Sequence, residues 1–319
     1  MPGFENFVPQ GVIPAVLLPF KEDYSIDVDA FRSHVRDVAA VDGVTALTLN
    51  AHSTEVSSCS FEEQRRVLEI SLDAVGDKLP IVNGIYADGS FEAQRIARMV
   101  TEAGASGLLV FPPNVFRCGQ RPEMAVEHFR RIAEVTDLPL VLFQYPLASG
   151  QGYPLPTLLK IMEAVPSVRA IKDGCTSPEQ HEQHIRVLQT LPRAVNVLST
   201  HSAWLFSSLV MGCNGLLSGS GSVIADLQVR LYRAIKADDL VSARELNTRI
   251  RATSTVFYAD PRTDMHNRMK EALLLLGKLH CAAVRPPLVK LSGEEIQRIR
   301  QALIAAGLLA PDGRARSVA

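Results

Sequence analysis

The segment Val168-Arg169-Ala170-Ile171-Lys172-Asp173-Gly174 reads as a short buried strand that ends in a lysine. Amphipathic stretches flank it, at 155–164 before and 177–188 after. A strand between two helices is the building unit of a parallel sheet. When such units close into a barrel, residues at the C-terminal strand ends line the active site. An amine held there among apolar groups loses hydration, and desolvation lowers its pKa. A neutral amine can attack a carbonyl and form a Schiff base. Lys172 could instead snorkel to water, or pair with Asp173.

The same alternation runs outward in both directions. Apolar runs at 12–18, 44–49, 79–82, 107–111, 138–143, 195–198 and 214–218 join 168–172 to make eight. Helical patterns separate them at 29–40, 61–75, 90–103, 121–135, 155–164, 177–188 and 202–211. Eight strand–helix units predict an α/β chain folded as a (β/α)8 TIM barrel over residues 1–224. The strands then stop. Helices expected at 225–236, 240–258, 265–276 and 293–306 make residues 225–319 a C-terminal helical extension packed on the barrel.

Composition narrows the function. The chain has 319 residues, is 47% hydrophobic and carries a net charge of −1, so it can bury a large core and shows no basic stripe for nucleic acid. The apolar run near the N-terminus contains Pro14 and Pro19 and is too short to cross a membrane. Five scattered cysteines (Cys59, Cys118, Cys175, Cys213 and Cys281) show no zinc-ligand spacing and suggest reduced thiols in a cytoplasmic protein.

Three other strand ends could carry chemistry. The second runs into Asn50-Ala51-His52-Ser53-Thr54-Glu55, whose hydroxyls could meet a carboxylate or simply cap the next helix. The fifth runs into Phe143-Gln144-Tyr145-Pro146, with Phe143 and Tyr145 on one strand face. Tyr145 could present its hydroxyl at the barrel top or act as an aromatic wedge. The eighth runs through Leu217 into Ser218-Gly219-Ser220-Gly221-Ser222, where the glycines allow the backbone to lie close to a substrate. His181 and His184 are three apart on a helix expected outside the barrel and do not form the HExxH metal box. His266 and His280 fall in the extension and read as structural or exposed.

Taken in order, these pieces resemble the dihydrodipicolinate synthase and N-acetylneuraminate lyase superfamily over almost the whole chain. PAVLLPF (14–20) matches the opening strand of that family, AHSTE (51–55) its GTTGE loop and PIVNG (80–84) its PVIAG strand. VLFQYPLASG (141–150) matches ILYNVPGRTG, IKDG (171–174) matches the Schiff-base IKEA and GLLSG (215–219) matches GVIS. The resemblance implies a class I lyase that binds pyruvate or another 2-oxo acid on Lys172, with no cofactor and no metal. It puts the hydroxyl pair that holds the substrate carboxylate at His52 and Ser53, with Thr54 beside them. It also implies a homo-oligomer, a tetramer or a dimer.

The chain departs from the family at four positions. The family's catalytic tyrosine falls on Phe143, and the threonine of its proton relay falls on His52. The tyrosine donated by a neighbouring subunit falls near Asn114, and the arginine that holds the second substrate falls on Ala148. The expected activity is therefore an aldolase or dehydratase on a small 2-oxo acid. Lys172 is its nucleophile, with Tyr145 or His52 as proton shuttle. Phe143, Asn114, Leu217, Ser218 and Gly219 are expected around the substrate. Dihydrodipicolinate synthase proper is a rival that Phe143 and Ala148 oppose. A non-catalytic 2-oxo acid binding or regulatory protein is another.

Overall fold

The protein is described here by a computed structural model covering residues 4, 6–200 and 203–315. Its strands are β1 (Gly11–Pro14), β2 (Leu47–Leu49), β3 (Ile81–Ile85), β4 (Gly107–Val110), β5 (Leu140–Gln144), β6 (Val168–Asp173), β7 (Asn196–Ser199) and β8 (Gly215–Ser218). The helices between them are α1 (Val28–Ala39), α2 (Phe61–Val75), α3 (Ser90–Ala103), α4 (Pro122–Ala133), α5 (Leu155–Ala164), α6 (Pro178–Leu188) and α7 (Leu205–Val210). The expected start of the seventh helix, residue 202, lies outside the described residues.

All eight strands are parallel, in the order β1-β8-β7-β6-β5-β4-β3-β2. Parallel bridges Val12–Val44 and Ala15–Thr48 join the two ends of this order and close the ring. The fold is thus the TIM barrel that the sequence pattern predicts. Its alternation sorts side chains into two layers. Ile13, Val82, Leu109, Val141, Ala170, Leu198 and Leu217 fill the inside of the ring, while Val12, Ile81, Leu108, Leu140 and Ile171 pack outward against the helices. On β6 this rule puts Lys172 inside with Ala170 and sends Asp173 outward with Ile171.

Local signals explain the helix ends. Ser60 and Glu63 form a reciprocal capping box at the start of α2. Gly104 ends α3 in the left-handed conformation (φ 92°), which a glycine adopts without steric cost.

Helix α8 (Gly221–Lys236) is broken at Ile224, and the run from 225 onward, expected as the first helix of the extension, instead packs against β1 as the eighth helix of the ring. Helices α9 (Leu240–Phe257), α10 (Met265–Leu275) and α11 (Gly293–Ala305) follow without strands between them and pack on one another. Two charge contacts tie this extension to the loop after β2. Lys270 on α10 pairs with Glu55, both side chains being buried. The Arg285 backbone N–H donates to the same carboxylate at 3.0 Å, and its guanidinium pairs with Glu63 at 2.5 Å. Glu55 itself has left-handed backbone geometry (φ 50°), uncommon for a residue with a side chain. Among the described residues, no helix is long and apolar enough to cross a membrane.

Candidate active site

Lys172 projects from the end of β6 into a cavity of about 240 Å³ at the C-terminal mouth of the barrel. The residue is only 5% exposed, and its amine sits 4.1 Å from the centre of the Phe143 ring. Burial alone lowers its pKa from 10.5 to about 7. Asp173 is not its partner. Its carboxylate faces α6, where one oxygen accepts from His181 Nδ1 at 2.8 Å and from His184 Nδ1 at 2.7 Å. The other oxygen accepts from the Cys175 N–H at 3.0 Å. Burial pushes the Asp173 pKa up, but the two imidazole donors outweigh it and hold the group well below the usual carboxylate range.

His181 and His184 lie on α6, outside the ring as the sequence predicts, and both are fully buried behind the lysine strand. Their spacing puts them on one helix face, and both imidazoles meet Asp173 at the end of β6. Asp173, Cys175 and His184 bring ligand-type atoms within 4.8 Å of one another, the one such grouping among the described residues that could hold a metal. Both imidazoles already face the carboxylate at hydrogen-bond distance.

His52 and Tyr145, read as alternative proton shuttles, are joined: His52 Nε2 and the Tyr145 hydroxyl lie 2.6 Å apart. Burial, with a smaller contribution from the Lys172 charge, pushes His52 down to about 4. Burial raises Tyr145 above its ordinary value of 10. At neutral pH the proton therefore resides on the phenol, which donates to a neutral imidazole. Aromatic rings hold this pair in place. Phe111 meets His52 edge-on at 4.9 Å between centroids, and Phe143 meets Tyr145 at 4.6 Å. Tyr145 is thus both a presented hydroxyl and part of an aromatic wedge.

The cavity wall brings together six of the residues singled out from the sequence: His52, Ser53, Phe143, Tyr145, Lys172 and Gly219. The Ser53 hydroxyl is buried and has no hydrogen-bond partner among the described residues, as suits a group that meets a ligand. Four other expected residues are not on the described wall, and their side chains are engaged elsewhere. The Thr54 hydroxyl turns back to the Ala51 carbonyl at 2.8 Å, capping its own turn. Asn114 bonds the Tyr86 hydroxyl at 3.3 Å, off the wall. Leu217 fills the inside of the ring, and the Ser218 hydroxyl bonds that of Ser220 at 3.0 Å.

The wall also contains residues that the sequence did not assign to the site: Thr200 after β7, and Tyr258, Arg262, Met265 and His266 from the extension. His266, expected to be structural or exposed, is 7% exposed. Burial first, and then the charges of His52, Lys172 and Lys270, keep its pKa well below 6.5. It explains Gly219, where a Cβ would stand 3.1 Å from His266 Nε2. Only the pairing of α10 with the barrel mouth brings this imidazole in, and no local motif announces it.

Comparisons with known proteins agree with this fold. The model of the dihydrodipicolinate synthetase family matches residues 8–306. The 4-hydroxy-tetrahydrodipicolinate synthase of Methanothrix thermoacetophila is 28% identical over 305 residues, covering 96% of this chain and 99% of the relative. An uncharacterized DapA-like lyase of Thermococcus kodakarensis is 26% identical, covering 92% and 98%. Among solved structures, the E. coli K12 prophage protein YagE, a dihydrodipicolinic acid synthase family member in complex with pyruvate, superposes with a TM-score of 0.87 at 23% identity, covering 94% of this chain and 99% of that one. The match runs through every strand of the ring and into α11, and on that extent the chain belongs to the dihydrodipicolinate synthetase family.

Proposed function

We propose that this protein is a class I lyase acting on pyruvate or a related small 2-oxo acid. One observation carries the reading: a buried lysine with a pKa near 7, facing a cavity whose described wall contains no aspartate or glutamate. The Lys172 amine attacks the 2-oxo carbon and water leaves, giving a protonated imine. The imine draws electrons from the bond beta to it, so a carbon–carbon or carbon–oxygen bond there can break or form. Ser53 and neighbouring backbone N–H groups hold the substrate carboxylate. The Tyr145–His52 pair moves the proton that the family's tyrosine would move, Phe143 having no hydroxyl. No step calls on a metal or a cofactor.

Relatives named 4-hydroxy-tetrahydrodipicolinate synthase favour that activity as a second reading. Against it stand Phe143 on the wall and Ala148, which is exposed and off the wall. A homo-oligomer, tetramer or dimer, also belongs to the proposal, with Val115 (59% exposed) and Leu147 (44% exposed) as apolar loop contacts. So does a cytoplasmic location, supported by five free thiols.

The test is reductive trapping. Pyruvate with borohydride should add a reduced pyruvyl group to the peptide containing Lys172, and Lys172→Ala should abolish the label. Labelling at another residue, or none with several 2-oxo acids, would sink the mechanism.

A further inference from the structure

The described cavity wall carries a charge that the Schiff base leaves unused. It holds the Lys172 amine, the Arg262 guanidinium and the imidazoles of His52 and His266, with no carboxylate among them. The substrate's own carboxylate has Ser53. Arg262 then remains as a cation at the mouth, exposed and without an ion pair or hydrogen bond among the described residues.

The backbone under Arg262 is fixed. It sits on the short turn Arg262–Asp264 that links α9 to α10. From behind, the fully buried Arg268 donates to the carbonyls of Ala259 at 2.6 Å and Pro261 at 3.3 Å, and pairs with Glu295. Two acids stand two residues away: Asp264 accepts from Asn267 at 3.1 Å, and neither Asp264 nor Asp260 lines the described cavity wall. A guanidinium on an anchored turn, beside a cavity without acids, presents a planar fork suited to a carboxylate or phosphate-like oxyanion. The apolar lining from Phe143, Pro146 and Met265 suits methylene groups.

We propose that Arg262 binds a second, distal anionic group of the substrate, so that the 2-oxo acid turned over here is a dianion. This rests on the Schiff-base reading of Lys172.

The experiment measures half-saturating concentrations for trapping on Lys172 with three acids. They are 2-oxopentanoate, 2-oxoglutarate and 2-oxo-4-phosphonobutanoate, with a methyl, a carboxylate and a phosphonate at the far end. The wild-type protein should saturate with one of the dianions at a concentration about tenfold or more below that for 2-oxopentanoate, the scale of a charge-assisted contact. Whichever dianion saturates lower identifies the distal group. Arg262→Ala should erase the preference, the dianions then saturating no lower than 2-oxopentanoate, and Arg262→Lys should restore part of it. Equal saturation by all three acids, or a preference that survives Arg262→Ala, overturns the assignment. Failure of every acid to label Lys172 instead removes the Schiff-base reading. Calorimetry with glutarate, which has no carbonyl, reads Arg262 separately. Binding by the wild type that Arg262→Ala abolishes supports the site, and absence of binding overturns it.

Discussion

Replacing Lys172 with methionine should make the protein more stable at neutral pH while removing its nucleophile. The side chain is 5% exposed, and burial brings its pKa from 10.5 to about 7. Between those two values the unfolded chain holds a proton that the folded chain has released, so stability rises with pH across that window. Integrating the shift at about 1.4 kcal/mol per pH unit gives a cost of about 4 kcal/mol at pH 7, falling to about 1 kcal/mol at pH 9.5. Methionine keeps an unbranched side chain, one heavy atom shorter, and has no titrating proton. Lys172→Met should therefore raise the melting temperature by roughly 10 °C at pH 7, with a much smaller gain at pH 9.5. The same shift governs reactivity. At pH 7 an unperturbed lysine is neutral in fewer than about one molecule in 10³, whereas Lys172 is neutral in about half. The rate of cyanoborohydride trapping should level off just above pH 7. Thermal and urea unfolding at the two pH values, with a pH–rate profile of trapping, check both statements. A variant no more stable than the wild type at pH 7, or trapping that keeps rising to pH 10, would refute the reasoning.

Three further outcomes follow from the geometry. Tyr145→Phe and His52→Asn should each cut turnover by at least about tenfold and leave Lys172 labelling intact, since positioned acid–base groups are worth about 10²–10⁴ in rate; steady-state rates beside adduct mass spectra decide this. His184→Ala should lower stability by about 1–3 kcal/mol by removing one of two imidazole donors to a buried carboxylate, and urea midpoints that match the wild type would show that Asp173 does not depend on it. Burial lowers His34 to about 3, His128 to about 4 and His52 to about 4. The unfolded chain therefore takes up protons near pH 6.5 that the folded chain refuses, and stability should fall as pH drops from 6.5 towards 4. A flat urea midpoint between pH 7.5 and 5 would contradict that.

The barrel was legible because each strand and helix repeats a strong local pattern, and eight repeats leave few alternatives. Lys172 was legible for the same reason, as a charge at the end of an apolar run. Its neighbours were harder. Asp173 could be read as a partner for Lys172 until the strand's alternation turned it outward to two histidines on the following helix. His52 and Tyr145 lie 93 residues apart, and only ring closure makes them a pair. Thr54, Asn114, Leu217 and Ser218 sit in the right segments with their side chains engaged elsewhere, a matter of rotamer and turn geometry that spacing does not encode. Arg262 and His266 reach the cavity through packing of the extension on the barrel, which leaves no mark on either local sequence.

The pairing of Glu55 with Lys270 and the Arg285 N–H bears on how this scaffold can be modified. Glu55 closes the turn that carries His52 and Ser53. Exchange of barrel loops is a natural route to new specificities, because each loop is usually free to vary on its own. Here the second loop is not independent. A graft that replaced it would strand the Lys270 ammonium, and a truncation after α8 would strand the Glu55 carboxylate within a complete ring. An uncompensated buried charge costs about 3–5 kcal/mol, a large part of a typical domain's stability. Loop and extension therefore have to be transplanted together, as one inherited unit.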